Sequence, residues 1–210
     1  MTSTRPEIII VRHGRTDANG AGLLQGRVDN PLNPEGRMQA TRVGEFLART
    51  LDAAPEIVVS PLLRARETAE RITAAFGGAC PIRIDDRWVE LDYGVFDGRP
   101  LASVPDDVWR RWRSDDEFAP DGGESLADVH RRVVTACEAV LERSVAVQAP
   151  VVVVSHVSPI KSAVAWALGV PPSVGWRTHL DNASITRLAV GPRGASLAGF
   201  NGTALLDGPH

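Results

Sequence analysis

Three short runs of apolar and β-branched residues recur along the chain, at 8–11, 57–60 and 151–155, and each run ends at polar residues. Each run then passes into a pattern with apolar positions three and four apart, which is typical of an amphipathic helix. A buried strand that leads into a helix is the repeating unit of a parallel sheet covered on both faces. The pattern therefore predicts an α/β fold, with 82–84 and 184–190 as further strands.

Capping residues mark where the helices begin and end. Ser60 and Pro61 form an N-cap and first-turn pair. The apolar residues that follow at helical spacing are Leu62, Ala65, Ala69, Ile72 and Phe76. Ser158 and Pro159 repeat the start signal for a helix that stops at Gly169.

Two further helices are predicted between these units. The first spans 34–51 and is expected to bury Met38, Val43, Phe46 and Leu47. The second opens at a capping box formed by Ser125 and Asp128. Its apolar face consists of Leu126, Val129, Val133, Cys137 and Val140.

The segment 97–123 interleaves aromatic and charged residues. Its large aromatic residues are Trp109, Trp112 and Phe118, and its charged residues include Arg110, Arg111, Arg113, Asp115, Asp116 and Glu117. Such a segment suits a lid over a site. It equally suits a short surface helix whose tryptophans are anchored in the core, since aromatic side chains are mostly buried on packing grounds.

The length of 210 residues and a hydrophobic fraction of 43% allow one substantial core. We therefore expect a single domain over 1–210, with 97–123 as an insertion or lid. The formal net charge is −3, and Lys161 is the only lysine. This balance does not indicate a general nucleic-acid surface, and arginine is the better residue for two-pronged binding of phosphate or carboxylate.

The chain shows no sign of secretion or membrane insertion. Residues 1–7 lack the apolar stretch of a signal peptide, and no segment reaches the roughly 18 apolar residues that a membrane span needs. Cys80 and Cys137 form neither a metal-type nor a redox-type pair, which favours a reducing compartment. We expect a cytoplasmic protein without membrane association, and the sequence leaves its oligomeric state open.

Basic side chains stand directly behind the three apolar runs. Arg12 and His13 follow the first, Arg64 lies one turn into the helix after the second, and His156 follows the third. Ligands of parallel α/β sheets bind beyond the carboxyl ends of the strands, where helix N-termini converge, so these side chains should share one pocket. Two arginines and two histidines suit a phosphate dianion without any metal. Phosphoryl transfer further requires an in-line nucleophile and a proton donor.

Several carboxylates compete for the role of proton donor. Glu90 shares its stretch of chain with Asp85, Asp86, Asp92 and Asp97. Position in the sequence does not select one of them.

Short motifs that carry these residues occur in one order along most of the chain. They are 11–16 with Asn19, 24–27, 60–65 with 67–69, 90–94 with 97–98, 122–125 and 154–156. In this set the chain resembles the histidine phosphatase superfamily, in its phosphoglycerate-mutase-like branch 1. The resemblance implies a three-layer α/β/α sandwich with a mostly parallel central sheet.

The resemblance also implies roles for individual residues. His13 would attack phosphorus and form a phosphohistidine, while Arg12, Arg64 and His156 hold the phosphoryl oxygens. Glu90 would protonate the departing alkoxide and then activate water. The residues implied to complete the substrate site are Asn19, Gln25, Gly26 and Val157. No metal and no organic cofactor is implied, and the expected ligand is a small phosphorylated metabolite.

Two positions depart from the common family pattern. Arg15 stands where many members carry Glu or Gln, and Val157 stands where Gly usually follows the second histidine. Neither change removes a catalytic group. We hypothesise that Arg15 raises the positive potential at the mouth of the site and favours substrates with a second anionic group. His179 is a candidate for the rim of the pocket.

Members of the family are chiefly phosphatases or mutases. About 25 residues separate Gly98 from Glu124, and this segment lacks the lysines that would grip a bisphosphorylated cofactor. The sequence therefore favours a metal-independent phosphomonoester hydrolase over a phosphoglycerate-mutase-type phosphoryl transferase. A catalytically silent anion-binding module on the same fold is a third hypothesis, and retention of both histidines and of Arg12 and Arg64 speaks against it.

Overall fold

The computed structural model describes residues 5–203, so 1–4 and 204–210 of the predicted domain lie outside it. Within the described part, the strands are β1 (Glu7–Arg12), β2 (Glu56–Val59), β3 (Ile82–Ile84), β4 (Pro150–Ser155), β5 (Ile185–Gly191) and β6 (Gly194–Gly202). The α-helices are α1 (Asp17–Gly20), α2 (Pro34–Thr50), α3 (Leu63–Ala75), α4 (Asp106–Ser114), α5 (Leu126–Val147) and α6 (Val157–Leu168). Short 3₁₀ helices span Asp86–Trp88, Gly94–Phe96, Leu101–Ser103 and Pro172–Arg177.

All strands belong to one sheet, in the order β3-β2-β4-β1-β5-β6. Neighbouring strands run parallel from β3 to β1, β5 runs antiparallel to β1, and β6 runs antiparallel to β5. At the centre, β1 and β4 pair in a register that sets Ile8 against Val151 and Arg12 against Ser155. The predicted, mostly parallel sheet is confirmed.

Alternate residues of β1 enter two different cores. Ile8 and Ile10 pack in a cluster with buried residues of α5 and α6. Ile9 and Val11 pack in a second cluster with buried residues of α2 and α3. A strand that is buried on both faces needs helices on both sides of the sheet. This arrangement confirms the three-layer α/β/α architecture.

Two of the predicted helix caps are wrong. Helix α3 begins at Leu63 with Leu62 as its N-cap, and α6 begins at Val157 with His156 as its N-cap. The Ser60 hydroxyl bonds the His156 ring instead of capping α3, and the N-terminus of α6 is capped by a carboxylate from elsewhere in the chain. The capping box at Ser125 is present as predicted.

Met38 was expected in the core but is 51% exposed. It precedes Val43 by five residues, which places it about 140° around the helix from that buried position. Strand β6 was not predicted at all. It is rich in Gly and Ala and alternates between exposed and half-buried residues, so it lacks the apolar contrast of the other strands.

The segment 97–123 contains α4. Trp112 of this helix is 1% exposed, and its ring centroid lies 5.4 Å from that of Trp109 and 6.0 Å from that of Phe118. The helix is therefore anchored by its tryptophans, as the second of the two interpretations expects. A lid function for 97–123 stays a prediction.

None of the helices within 5–203 is both long enough and apolar enough to cross a membrane.

Candidate active site

The sheet brings two histidines together at the ends of β1 and β4. Because Arg12 is in register with Ser155, His13 and His156 leave the two strands side by side. The backbone N–H of His13 donates to the Ser155 carbonyl at 3.0 Å. The two ring centroids lie 5.1 Å apart. Arg64 reaches the same place from the first turn of α3.

The surroundings of the His13 ring fix its tautomer and keep it neutral. Its Nδ1 lies 2.7 Å from the Gly14 carbonyl oxygen. A carbonyl only accepts, so Nδ1 carries the proton and Nε2 keeps its lone pair. Burial lowers the pKa of His13 well below its usual value, and the charges of Arg64 and Arg12 lower it further. The imidazole is therefore neutral near pH 7, with Nε2 available for attack.

The His156 ring has the opposite tautomer. Arg64 Nε donates to its Nδ1 at 3.2 Å, so Nε2 carries the proton and donates to Ser60 Oγ at 2.7 Å. Burial, Arg64 and His13 all lower the pKa of His156. Ser60 is thus a partner of the second histidine, a role that its position before a helix did not reveal.

Arg64 and Asp97 both hold the loop 25–28, Arg64 through the loop's backbone carbonyl groups and Asp97 through the loop's backbone N–H groups. Arg64 donates to the carbonyl oxygens of Gln25 at 3.0 Å, Gly26 at 2.9 Å and Val28 at 2.8 Å. Asp97 accepts from the backbone N–H groups of Gly26 at 2.7 Å, Arg27 at 2.6 Å and Val28 at 3.2 Å. Burial lowers the pKa of Arg64 to about 10, so the guanidinium stays charged. Neither Arg64 nor His156 lines the cavity, and both lie fully buried behind it.

A cavity of about 340 Å³ opens in front of His13. Arg12 and Gln25 line it, and each has a buried donor, Nε of Arg12 and Nε2 of Gln25, that finds no partner within the described residues. Arg12 also donates from Nη1 to the Leu180 carbonyl at 2.6 Å, which fixes its side chain. Buried donors without partners are costly, and a phosphoryl group at this place would satisfy them.

Glu90 lines the same cavity, and its carboxylate lies at the N-terminus of α6. Its Oε1 accepts from the backbone N–H groups of Leu91 at 2.8 Å and Ser158 at 3.1 Å, and its Oε2 accepts from that of Val157 at 3.0 Å. The residue as a whole is 3% exposed. Oε2 has one donor and Oε1 has two, which leaves Oε2 the greater unused capacity to accept a hydrogen bond.

The other carboxylates of the crowded stretch have separate partners. Asp85 pairs with Arg87 at 2.7 Å, and Asp92 accepts from the backbone N–H of Gly94 at 2.8 Å. Asp86 is exposed, and Asp97 holds the loop 25–28. Of the five candidates, Glu90 is the one that lines the cavity.

Asn19 and Val157 also line the cavity. Asn19 Oδ1 accepts from the Thr16 backbone N–H and from Asn182 Nδ2, the latter at 3.1 Å. Asn182 Nδ2 also donates to the His13 carbonyl at 3.3 Å. Val157 contributes its backbone N–H to Glu90, which a valine provides as well as a glycine. Asn182 and the half-buried side chain of Tyr93 line the cavity too, and the sequence assigned no individual role to either.

Gly26 and Gly14 are required where the backbone packs closely. A Cβ on Gly26 would lie 2.5 Å from the Leu91 carbonyl oxygen, and one on Gly14 would lie 2.3 Å from the Gly36 carbonyl oxygen. The reason for Gly14 is therefore close approach to the start of α2.

Arg15 and His179 lie at the margin of the site. Arg15 pairs with Glu35 at 3.0 Å and lines a neighbouring cavity that shares Asn19 with the first. His179 lines the rim of the first cavity, and its Nε2 lies 2.9 Å from Asp181 Oδ1. The proposed effect of Arg15 on substrate charge stays a prediction.

The chain matches a model of the histidine phosphatase superfamily (branch 1) over residues 8–203. A bifunctional protein of Mycobacterium tuberculosis is 37% identical over 186 residues, which cover 87% of this chain and 50% of that protein. The chain thus spans about half the length of this relative. A probable phosphoglycerate mutase of Klebsiella pneumoniae is 37% identical over 188 residues, which cover 87% of this chain and 84% of the mutase.

Solved structures share the fold. A mycobacterial glucosyl-3-phosphoglycerate phosphatase superposes with a TM-score of 0.84 at 28% identity, covering 94% of this chain and 100% of the phosphatase. A phosphoserine phosphatase of Entamoeba histolytica superposes with a TM-score of 0.83 at 26% identity, covering 95% of this chain and 98% of the other.

Proposed function

Because the chain belongs to branch 1 of the histidine phosphatase superfamily, we propose that it hydrolyses small phosphomonoesters through a phosphohistidine on His13. One observation carries the proposal. The neutral His13 ring presents the lone pair of Nε2 to a cavity in which Arg12 Nε and Gln25 Nε2 have no partner among the described residues. A nucleophile beside unsatisfied donors is suited to an anionic electrophile.

The reaction proceeds in two transfers. In the first, His13 Nε2 forms a bond to phosphorus while the ester P–O bond breaks, and the protonated Glu90 carboxyl gives its proton to the leaving oxygen. In the second, the Glu90 carboxylate takes a proton from water, the oxygen of that water bonds to phosphorus, and the N–P bond breaks. The Gly14 carbonyl holds Nδ1–H throughout and supports the charge that develops on the ring.

Arg12 would bind the phosphoryl oxygens directly, because it lines the cavity and its Nε has no partner among the described residues. Arg64 and His156 act from behind, where Arg64 positions the loop that carries Gln25 and Gly26. Both side chains are buried. His156 has both ring nitrogens bonded, so direct contact with phosphate requires it to exchange one of these bonds, whereas the bonds of Arg64 use four of its five N–H groups. Asn19 and Val157 complete the wall of the site.

Hydrolysis is favoured over mutase activity by the short segment 97–123, which has no lysine. Lys161 donates to the carbonyl oxygens of Gly175 at 2.8 Å and Thr178 at 2.7 Å. A mutase must retain a bisphosphorylated ligand between half-reactions, and 97–123 offers no lysine to bind its second phosphate. We further propose a cytoplasmic location, consistent with two buried, unpaired cysteines in the described chain.

The test is release of phosphate from p-nitrophenyl phosphate between pH 4 and 8 without added metal. We expect turnover that disappears in His13→Ala and persists in His130→Gln, whose ring bonds Ser162 away from the cavity. An acid-labile phosphoenzyme should be trapped on the wild-type protein. Exchange of phosphate between positions of phosphoglycerate without net release would assign a mutase. Phosphate binding without either reaction would assign the silent module.

A further inference from the structure

The cavity in front of His13 is called the phosphate cavity below. A small apolar pocket opens beside it, on the side of α6. Its apolar walls include Leu91, Leu126, Trp112, Pro172 and Trp176. We call it the Trp112 pocket. It is walled by α4, α5 and the 3₁₀ helix Pro172–Arg177, elements that take no part in holding the His13 ring.

The Trp112 pocket and the phosphate cavity share two lining residues, Tyr93 and Val157. A ligand bound through its phosphoryl group at His13 would therefore enter the pocket past Tyr93 and Val157. The pocket is small, about 80 Å³, against roughly 150 Å³ for an engineered core cavity that holds one benzene. It takes in one edge of a ring or a short branched chain, while the rest of the ligand stays in the larger cavity.

Trp112, which lines this pocket, carries an unsatisfied donor. The residue is 99% buried, since only 1% of its surface is exposed. Its ring packs against those of Trp109, Phe118, Tyr93 and Phe96, and its indole N–H has no partner within 5–203. A buried N–H without an acceptor is destabilising. An acceptor atom on a ligand in the pocket would remove that penalty.

Lys161 adds a second donor. Its ammonium group has three hydrogens, and the carbonyl oxygens of Gly175 and Thr178 take two of them. Lys161 also lines the Trp112 pocket. An apolar pocket with two donors and no acidic lining residue selects a group that is apolar in its body and carries a hydrogen-bond acceptor.

The direction of the reaction points to the same pocket. In an in-line displacement the leaving oxygen departs on the side opposite the nucleophile and takes its proton from the general acid. Glu90 is held by the backbone N–H groups of Val157 and Ser158, and both of these residues line the Trp112 pocket. The alcohol that leaves beside Glu90 therefore starts its path at the mouth of this pocket.

We propose that the Trp112 pocket is the subsite for the leaving group, and that the substrates are phosphomonoesters of alcohols with a compact apolar group bearing a hydrogen-bond acceptor. This inference rests on the proposed function and narrows it. Polyol phosphates and phosphoglycerates, whose leaving groups are polar throughout, are poorer ligands of this pocket.

Benzyl phosphate and glycerol 1-phosphate form a matched pair for the first test, because both release a primary alkoxide and need the same proton from Glu90. We expect kcat/KM for the benzyl ester to exceed that for the glycerol ester by about tenfold. The substitution Trp176→Ala, at the half-exposed edge of the pocket, should bring the ratio close to one. Val145→Ala, at an exposed position on α5, should leave the ratio unchanged.

The acceptor is tested with the three pyridylmethyl phosphates, which differ from the benzyl ester by one ring nitrogen. At least one isomer should be preferred over benzyl phosphate by about fivefold. Trp112→Phe keeps the aromatic packing and removes the indole N–H, so it should reduce that preference, and the part that persists belongs to Lys161, while the preference for benzyl over glycerol remains.

Equal kcat/KM values for the benzyl and glycerol esters would overturn the subsite while leaving the phosphatase intact. Absence of turnover on every ester would instead count against the proposed function. In that case binding of benzylphosphonate, compared with methylphosphonate by calorimetry, still decides: tighter binding that Trp176→Ala removes supports the pocket, and equal binding refutes it.

Discussion

At the scale of single residues, the proposed mechanism gives Glu90 two proton transfers, and they can be separated by the choice of ester. In Glu90→Gln, kcat for an alkyl phosphate should fall by about 10²–10⁴, because an alkoxide cannot leave without a proton. Nitrophenolate leaves without one, so p-nitrophenyl phosphate should still phosphorylate His13, while hydrolysis of the phosphohistidine slows. Stopped-flow absorbance should therefore show a burst of about one equivalent of nitrophenolate, followed by slow turnover.

The exposed carboxylate Asp86 provides the control, and Asp86→Asn should show neither the loss nor the burst. Equal losses on both esters with no burst would mean that Glu90 acts only through its hydrogen bonds to the start of α6.

At the scale of elements, the loop 25–28 depends on Asp97. Its carboxylate accepts three backbone N–H groups of the loop, and an asparagine can accept with one oxygen only. Asp97→Asn should raise KM for p-nitrophenyl phosphate by about tenfold, because the loop then holds Gln25 Nε2 less firmly, with a loss of roughly 1–3 kcal/mol in stability. Steady-state kinetics and urea unfolding measure the two effects. The control Asp106→Asn, at an exposed carboxylate in the first turn of α4, should change neither quantity. An unchanged KM for Asp97→Asn would show that Arg64 alone maintains the loop.

The elements differ in how far local sequence determines them. Strands β1, β2 and β4 are apolar on both faces, so their residues alone reveal them, and Arg12, His13 and His156 follow as strand ends. Asp97 could not be assigned in this way, because its partners Gly26 and Arg27 lie about 70 residues earlier. The same holds for Ser60, whose bond to His156 exists only once β2 and β4 have paired. Edge strand β6 has no regular apolar pattern, and its backbone pairing with β5 is what makes it a strand.

For the whole molecule, the buried histidines link stability to pH. The folded-state pKa values of His13 and His156 lie below the usual value of 6.5. Below about pH 6.5 these two histidines therefore bind protons in the unfolded chain but stay neutral in the folded one. The free energy of unfolding should therefore fall as the pH drops from 6.5 to 5.5, by up to about 1.4 kcal/mol per pH unit for each histidine. Urea unfolding of the wild type and of His13→Ala at several pH values checks this. The free energy of unfolding should depend less steeply on pH in the variant.

His179→Ala, at a side chain that is 81% exposed, should keep the wild-type slope. Identical slopes for wild type and His13→Ala would show that the His13 ring takes up a proton in the folded protein as readily as in the unfolded one.

The position of β1 in the sheet has a consequence for folding. The first strand of the chain pairs with β4 and β5, both of which lie in its last third. Contacts between distant segments form slowly, since a long loop must close before they contribute. A chain emerging from the ribosome therefore carries His13 long before its partner strand exists, and gains its chemistry only in the last stage of folding. Recovery of the proposed phosphatase activity after dilution from denaturant should therefore report completion of the central sheet.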